Sequence, residues 1–291
     1  MVLKMKINKI EPQGYCGGVI NAINMAYKAK KDNPNKDIYV LGALVHNQTV
    51  IDDLEKTGIK TIEDKEVDST LDRLPSGTIV IFTAHGHDEK LERKAKEKGL
   101  IIYDATCPKV INNANKIKQE LSAGHQVIYI GQSGHKETEA VLSISKNISL
   151  YDIKLLFNYY LITDVSPFVI NQTTLNFMEL KSIHKDILSH IPKARIADEV
   201  CVASRQRQEA ILRIKNDVDL IVIVGDKTSS NTMKLYDIAK SKHPNATTLF
   251  VHDLNALKKH DLKGNKKAAI SSGASTPSYV VDEIFNYLSS I

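Results

Sequence analysis

No stretch of this 291-residue sequence is apolar for long enough to cross a bilayer, which takes roughly 18 residues. The opening Met1-Val2-Leu3-Lys4-Met5-Lys6 lacks the apolar core of a signal peptide. These two absences point to a cytoplasmic chain with no membrane partner. Cysteine is scarce: three residues, an odd number and far apart, cannot form the disulfide framework of a small secreted domain, so a reducing compartment is expected. No close cysteine pair marks a structural zinc site, and no close three-cysteine motif marks radical chemistry based on S-adenosylmethionine. No glycine fingerprint for a dinucleotide follows any strand-like run. Gly131 to Thr138 lacks the ending of a phosphate-binding P-loop, because His135 separates Gly134 from Lys136. Lysine and arginine give a net charge of +5 but are spread along the chain, which suits anion binding and gives nucleic acid little support.

What is present is a repeat. Cys16, Cys107 and Cys201 are spaced almost evenly, and each is followed by a β-type apolar run ending in a polar cluster. Ile38 to Leu41 leads to His46, Val127 to Ile130 to His135, and Leu220 to Val224 to Ser229. A second apolar run in each third ends near another polar residue: His85 after Thr78 to Phe82, Thr173 after Phe168 to Ile170, and Ser275 after Ala268 to Ile270. Between the runs, helices are expected over 19–31, 50–56, 109–121, 176–189 and 205–215, from their apolar spacing and from stops such as Asn33-Pro34-Asn35 and Ala123-Gly124. Residues 142–161 have a mixed pattern and are not assigned. A chain that is 42% hydrophobic can bury a real core.

Short apolar runs that end in polar residues, separated by helices, are the pattern of parallel α/β units, whose ligand groups gather at the carboxyl ends of strands. The expected fold class is therefore α/β, with three pseudo-threefold-related domains built on parallel sheets around a central site. The expected boundaries are 1–106 with Cys16, 107–198 with Cys107 and 199–291 with Cys201.

Several clusters suit an anion. His46 and His85 both occupy slots of the repeat, whereas His87 falls outside it and reads as supporting or surface. His135 and Glu137 lie two residues apart, so the carboxylic acid can donate a proton while the histidine holds the anion; the plainer alternative is a solvated pair at a helix start. Asp226 to Asn231, with Ser229, Ser230 and Asn231, offers hydroxyls, an amide and helix-start N–H groups to phosphate oxygens. Ser271 to Pro277 supplies a second such loop around Ser275, although a serine-rich turn is also commonly only a cap. Three thiolates can bind zinc with a fourth ligand, or three irons of a four-iron cluster, and spacing alone does not choose between them. One cysteine per repeat suits the cluster better.

Together Gly14-Tyr15-Cys16-Gly17-Gly18-Val19, Val45-His46-Asn47, Ala84-His85-Gly86, Asp104-Ala105-Thr106-Cys107-Pro108, Gly134-His135-Lys136-Glu137, Gln172-Thr173-Thr174-Leu175 and Ser229-Ser230-Asn231 resemble the 4-hydroxy-3-methylbut-2-enyl diphosphate reductase family. Arg207-Gln208 and Gly273-Ala274-Ser275 extend the resemblance over nearly the whole chain. It implies a [4Fe-4S] enzyme of the non-mevalonate isoprenoid pathway. Such an enzyme makes isopentenyl and dimethylallyl diphosphate by two-electron reductive removal of a hydroxyl, with electrons from an external donor such as ferredoxin or flavodoxin. By resemblance Cys16, Cys107 and Cys201 bind the cluster, and His46, His85, His135, Ser229, Ser230, Asn231 and Ser275 surround the diphosphate. Glu137 matches the proton donor, and Thr173 the residue near the substrate hydroxyl.

The chain departs from the family's usual loop at Lys136, where proline is usual, and at Ala140, where glycine is usual; Val202 replaces a larger residue after the third cysteine. Two other readings stand beside this one: a quinolinate-synthase-like cluster enzyme, and a redox-sensing iron–sulfur binding protein. The histidine and serine-asparagine clusters favour a diphosphate enzyme, since a sensor has no need of them.

Overall fold

The computed structural model describes residues 5–197 and 200–291. The boundary expected at 198 and 199, and residues 1–4 of the segment read for a leader, lie outside them. The chain divides into two compact units, one of Met1–Gly17, His46–Val50 and Val202–Ile291, the other of Gly18–Val45 and Ile51–Cys201. Among the described residues twelve strands form three four-stranded sheets, every pairing parallel. No helix among these residues is long and apolar enough to cross a membrane.

The first strand, β1 (Lys6–Lys9), pairs with the far end of the chain. Next come β2 (Ile38–Leu41), β3 (Ile59–Ile62), β4 (Ile79–Phe82) and β5 (Ile101–Asp104), in the sheet order β3-β2-β4-β5. Then β6 (Val127–Gly131), β7 (Ile148–Asp152), β8 (Phe168–Asn171) and β9 (Arg195–Ile196) lie in the order β7-β6-β8-β9. Finally β10 (Leu220–Val224), β11 (Thr247–Val251) and β12 (Lys267–Ser272) take β1 as their fourth member, in the order β11-β10-β12-β1. The three sheets thus share one topology, and the chain's first strand completes its last sheet, with Lys6 opposite Lys267 and Lys9 opposite Ile270.

Central strands read as unbroken apolar runs because a parallel sheet is covered on both faces. In β6 every residue is buried: Val127 and Tyr129 pack with Ile117, Val141 and Phe168, while Ile128 and Ile130 pack with Val169, Leu180 and Ile187 on the other face. In the first unit Leu220, Val222 and Val224 pack against Val280, Val281, Ile284 and Leu288 of the helix Ser278–Ser290. Burying each such side chain is worth about 1.5–3 kcal/mol before entropy is counted, so these strands anchor their sheets.

A helix follows each cysteine at once: Gly17–Asp32, Pro108–Ser122 and Val202–Leu212. The last was expected over 205–215; it starts and stops three residues sooner, because the Ile214 N–H bonds back to the Ile211 carbonyl in a tighter turn. The unassigned stretch 142–161 holds β7, an edge strand with three half-buried central residues, too varied in burial to show a clean period.

The topology sorts the polar residues by strand. Those that hold the same place in each sheet, β2, β6 and β10, run toward His46, His135 and Ser229. The next place, β4, β8 and β12, runs toward His85, Thr173 and Ser275, and the outer place, β5, β9 and β1, toward Cys107, Cys201 and Cys16. Every one of the nine follows the carboxyl end of a parallel strand, where ligands of open α/β sheets bind.

Candidate functional site

In the second unit, the end of β6 turns through Gly131 to Gly134 into a short helix, Lys136–Leu142, capped by His135. The ring Nδ1 of His135 accepts the Glu137 N–H at 3.1 Å, which satisfies one of the helix's first orphan donors and fixes the ring. His85, after β4, sets its ring edge-on to that of His135, with centroids 6.1 Å apart. Glu137 points inward and is 3% exposed. Thr173, after β8, donates its N–H to Glu137 Oε1 at 2.9 Å and its hydroxyl to Oε2 at 2.8 Å. Burial pushes the Glu137 carboxyl up from its ordinary value of 4.5 to about 7, against the pull of the Thr173 N–H and hydroxyl, the Tyr129 hydroxyl and the Lys109 charge. A buried carboxyl that titrates near neutrality can both hold and release a proton.

Cys107 and Cys201 are tied to the same framework. The Cys107 N–H bonds the Ala84 carbonyl at 3.0 Å, one residue before His85, and the Cys201 N–H bonds the Thr173 carbonyl at 2.8 Å. Cys107 caps the helix Pro108–Ser122 with extended backbone, and Pro108 sits at the first helical position, where its missing N–H costs nothing. The structure therefore brings His85, His135, Glu137 and Thr173 close to one another, with Cys107 one hydrogen bond from the end of β4 and Cys201 one from the end of β8.

In the first unit, Ser229 caps the helix Ser230–Lys242 through its hydroxyl, which accepts the Thr232 N–H at 3.3 Å. Asn231 is buried, and neither its amide nitrogen nor its amide oxygen meets a hydrogen-bond partner among the described residues. Burial works to raise the Asp226 carboxyl, but the N–H and hydroxyl of Thr228, the Gln48 N–H and the His46 charge outweigh it and hold it below its ordinary value. The Ser275 hydroxyl donates to the His46 carbonyl at 3.0 Å, and the Cys16 N–H bonds the Ala274 carbonyl at 3.0 Å. Arg207, buried, donates to the Gly14 carbonyl at 2.7 Å and so braces the turn before Cys16; Gly14 itself has φ +69°, which a side chain would strain. His46, Ser275, Ser229, Ser230 and Asn231 thus belong with Cys16.

The sequence matches the LytB protein family over residues 7–289. The chain belongs to the LytB family. Among curated relatives, the 4-hydroxy-3-methylbut-2-enyl diphosphate reductase of Symbiobacterium thermophilum is 35% identical over 98% of this chain and 97% of its own. The protein of the same name from Listeria monocytogenes is 37% identical over 98% and 86%. Of solved structures, the Plasmodium falciparum E-1-hydroxy-2-methyl-but-2-enyl-4-diphosphate reductase aligns with a TM-score of 0.87 at 28% identity, covering 98% of this chain and 88% of that one. A second structure, described as (E)-4-hydroxy-3-methyl-but-2-enyl diphosphate reductase, the terminal enzyme of the non-mevalonate pathway, aligns at 0.67 and 26% identity over 99% and 100%. The expected three-sheet α/β fold is borne out by these neighbours.

Within this LytB chain the three departures are locally accommodated. Lys136 pairs with Asp64 at 3.5 Å and Glu139 at 3.3 Å, so its charge is directed away from Glu137. Ala140 lies beside Gly86, with its Cβ 3.5 Å from where a side chain on Gly86 would begin. Val202 is 66% exposed, so a smaller residue there leaves no cavity.

The three cysteines suit thiolate ligation. None is in a disulfide, each is half-buried, and each stands directly before a helix N-terminus, where negative charge is favoured. Among the described residues no three His, Cys, Asp or Glu side chains converge tightly enough for a single metal ion. The sequence does not single out Tyr129, and it places Asp226 in the anion loop without a role of its own. An aromatic residue in the otherwise aliphatic β6 was the available signal for the first, and an aspartate two residues before Thr228, the Asx-turn pattern, for the second.

Proposed function

We propose that this LytB chain is a 4-hydroxy-3-methylbut-2-enyl diphosphate reductase, an oxidoreductase that converts its substrate to isopentenyl and dimethylallyl diphosphate. The allylic C–O bond breaks, two electrons and two protons are consumed, and the hydroxyl leaves as water. The observation that carries the reading is Glu137: a carboxyl held near neutral pKa by burial and fixed on both oxygens by Thr173, in a chain whose family match spans residues 7–289. That match does not favour the quinolinate-synthase-like or sensor alternatives.

Cys16, Cys107 and Cys201 are proposed to hold a [4Fe-4S] cluster, which when bound supplies electrons one at a time and a Lewis-acidic iron without a protein thiolate. The residues of the chain do the rest. His46, His85, His135, Ser229, Ser230, Asn231 and Ser275 hold the diphosphate. The Asn231 amide, buried without a partner, is a donor ready for a phosphate oxygen, and the helix start behind Ser229 favours that charge. Thr173 stands by the substrate hydroxyl and keeps the Glu137 carboxyl in place, and Glu137 delivers the proton that turns the departing hydroxyl into water. The division into domains 1–106, 107–198 and 199–291, a cytoplasmic location and an external donor such as ferredoxin or flavodoxin complete the proposal.

The test is anaerobic purification followed by turnover with a chemical reductant. The protein should carry about four irons and four sulfides per chain and release both isomeric diphosphates. Intact cluster with no turnover of the allylic diphosphate overturns the assignment.

A further inference from the structure

Glu137 has a third hydrogen-bond donor besides the two of Thr173. Tyr129 sits in the middle of β6 with no exposed surface, and its hydroxyl donates to Glu137 Oε1 at 3.3 Å. The same oxygen accepts the Thr173 N–H, while Oε2 faces the Thr173 hydroxyl. A wholly buried phenol is costly unless its hydroxyl is bonded, so the ring's place makes sense only with a partner at its tip. The strand is shaped to allow it. A Cβ at Gly131 would lie 2.9 Å from Tyr129 Cε1 and 2.7 Å from the Thr138 hydroxyl oxygen, so glycine there leaves room for the ring to lie along the strand. Ile117, Val141 and Phe168 enclose the ring on the same face of the sheet and leave its hydroxyl directed at the carboxyl.

The consequence is asymmetric. Oε1 takes two donated bonds, and one of them comes from the Thr173 peptide N–H, which has no lone pair with which to accept a proton from the carboxyl. Oε2 meets only the Thr173 hydroxyl, which, like any hydroxyl, can rotate from donating to accepting, so a proton is better placed on Oε2. We propose that Tyr129 is a positioning residue for the proton donor: its hydroxyl occupies Oε1, so that the acidic proton of Glu137 resides on Oε2, and it sets the pH at which that proton is given up. The inference rests on the reading of Glu137 as the proton donor.

Other charges face the same carboxyl. Lys109, on the helix Pro108–Ser122, favours its ionised form through space. His135 touches the Glu137 backbone through its ring nitrogen, and His85 stands edge-on behind it. Lys136 and Glu139, on Glu137's own helix, pair with each other, and Lys136 also pairs with Asp64. None of these charges is altered by removing one phenol oxygen; Tyr129→Phe removes the bond to Glu137 together with a contact to the Thr138 hydroxyl, which is uncharged.

A donor must be protonated to act, so turnover should fall as pH rises through about 7, the value to which burial lifts Glu137. The Tyr129 hydroxyl favours the carboxylate; without it the acid keeps its proton to higher pH. In Tyr129→Phe the alkaline limb of kcat/KM, which reports the ligand-free protein, should move up by about 0.5–1 in pH, the worth of one ordinary hydrogen bond. Tyr129→Leu, which also lacks the hydroxyl, should move the limb the same way. The second readout is infrared titration of the cluster-loaded protein, with the Glu137 carboxyl band identified by its loss in Glu137→Gln. In Tyr129→Phe that band should rise in frequency, having lost a donor, and titrate at higher pH. An unchanged band and limb in the Phe variant overturn the proposal, as does a shift in Leu without one in Phe, which would assign the effect to packing. If Glu137→Gln keeps full turnover, it is the donor role of Glu137 that fails, while the infrared arm still decides whether Tyr129 holds Oε1.

Discussion

The Glu137 pocket of the second unit and the Ser229–Asn231 turn of the first satisfy their buried polar atoms in opposite ways. Glu137 is buried with both oxygens occupied by Thr173 and Tyr129 before any ligand arrives. Asn231 is also buried, yet among the described residues both polar atoms of its amide lack partners. A buried polar group without a partner costs about 1–3 kcal/mol, so the second turn carries a penalty that a bound anion can relieve. The first carries none, and its difficulty lies in charge: the pocket tolerates the carboxylic acid better than the carboxylate. On the proposed reading, one region is preorganised to keep a proton and the other is left incomplete to receive an anion.

The most forceful way to break this contrast is to remove the acid while keeping its shape. Glu137→Gln should lower turnover by about 10²–10⁴-fold, the usual contribution of a general acid, with the cluster spectrum and diphosphate affinity near normal. Glu139→Gln should do much less, because Glu139 is turned toward Lys136. If the Glu139 variant loses turnover and the Glu137 variant keeps it, the proton route runs through the other carboxylate.

The charge difficulty has its own signature in stability. The folded protein raises the Glu137 carboxyl from 4.5 to about 7, so its contribution to stability is full below pH 4.5 and is lost as pH rises through 7. The loss totals about 3 kcal/mol, since each tenfold change in proton affinity is worth about 1.36 kcal/mol. Glu137→Gln does not titrate, so denaturant unfolding at pH 5 and at pH 8 should show a smaller difference for the variant than for the parent. Equal differences would mean that the carboxyl is not buried as neutral acid.

Much of this was legible in the sequence because β2, β6 and β10, one inner strand of each sheet, are continuous apolar runs, and each points at a chemically distinctive residue. The helices after the cysteines were legible for the same reason, a long periodic face. Two of the edge strands were not: β7 varies in burial along its length, and β9 is two residues long, too short to leave a pattern. The place of β1 was hidden for a different reason. Lys6–Lys9 looks polar and unremarkable, and only the vacant edge beside β12 gives it a partner, a fact of topology that no local window carries. Of the site, the histidines and Glu137 stood out through the repeat, whereas Tyr129 reads as one more core residue until its hydroxyl is seen to meet Glu137.

The finest test of the contrast uses two small substitutions with opposite expected signs. Thr173→Val keeps the size and backbone but strips the hydroxyl from Glu137 Oε2, leaving a buried oxygen short of a partner; unfolding free energy should fall by about 1–2 kcal/mol. Asn231→Leu removes two buried polar atoms that had no partner, so stability should hold or rise by about 1 kcal/mol. The same leucine deletes a donor to a charged ligand, and diphosphate affinity, measured by calorimetry on the cluster-loaded protein, should weaken by about tenfold or more. A stabilised variant that binds worse is the mark of a turn kept incomplete for its ligand. Should Asn231→Leu instead destabilise the fold and leave affinity alone, the amide belongs to the architecture of the helix start, and the two regions differ in degree rather than in purpose.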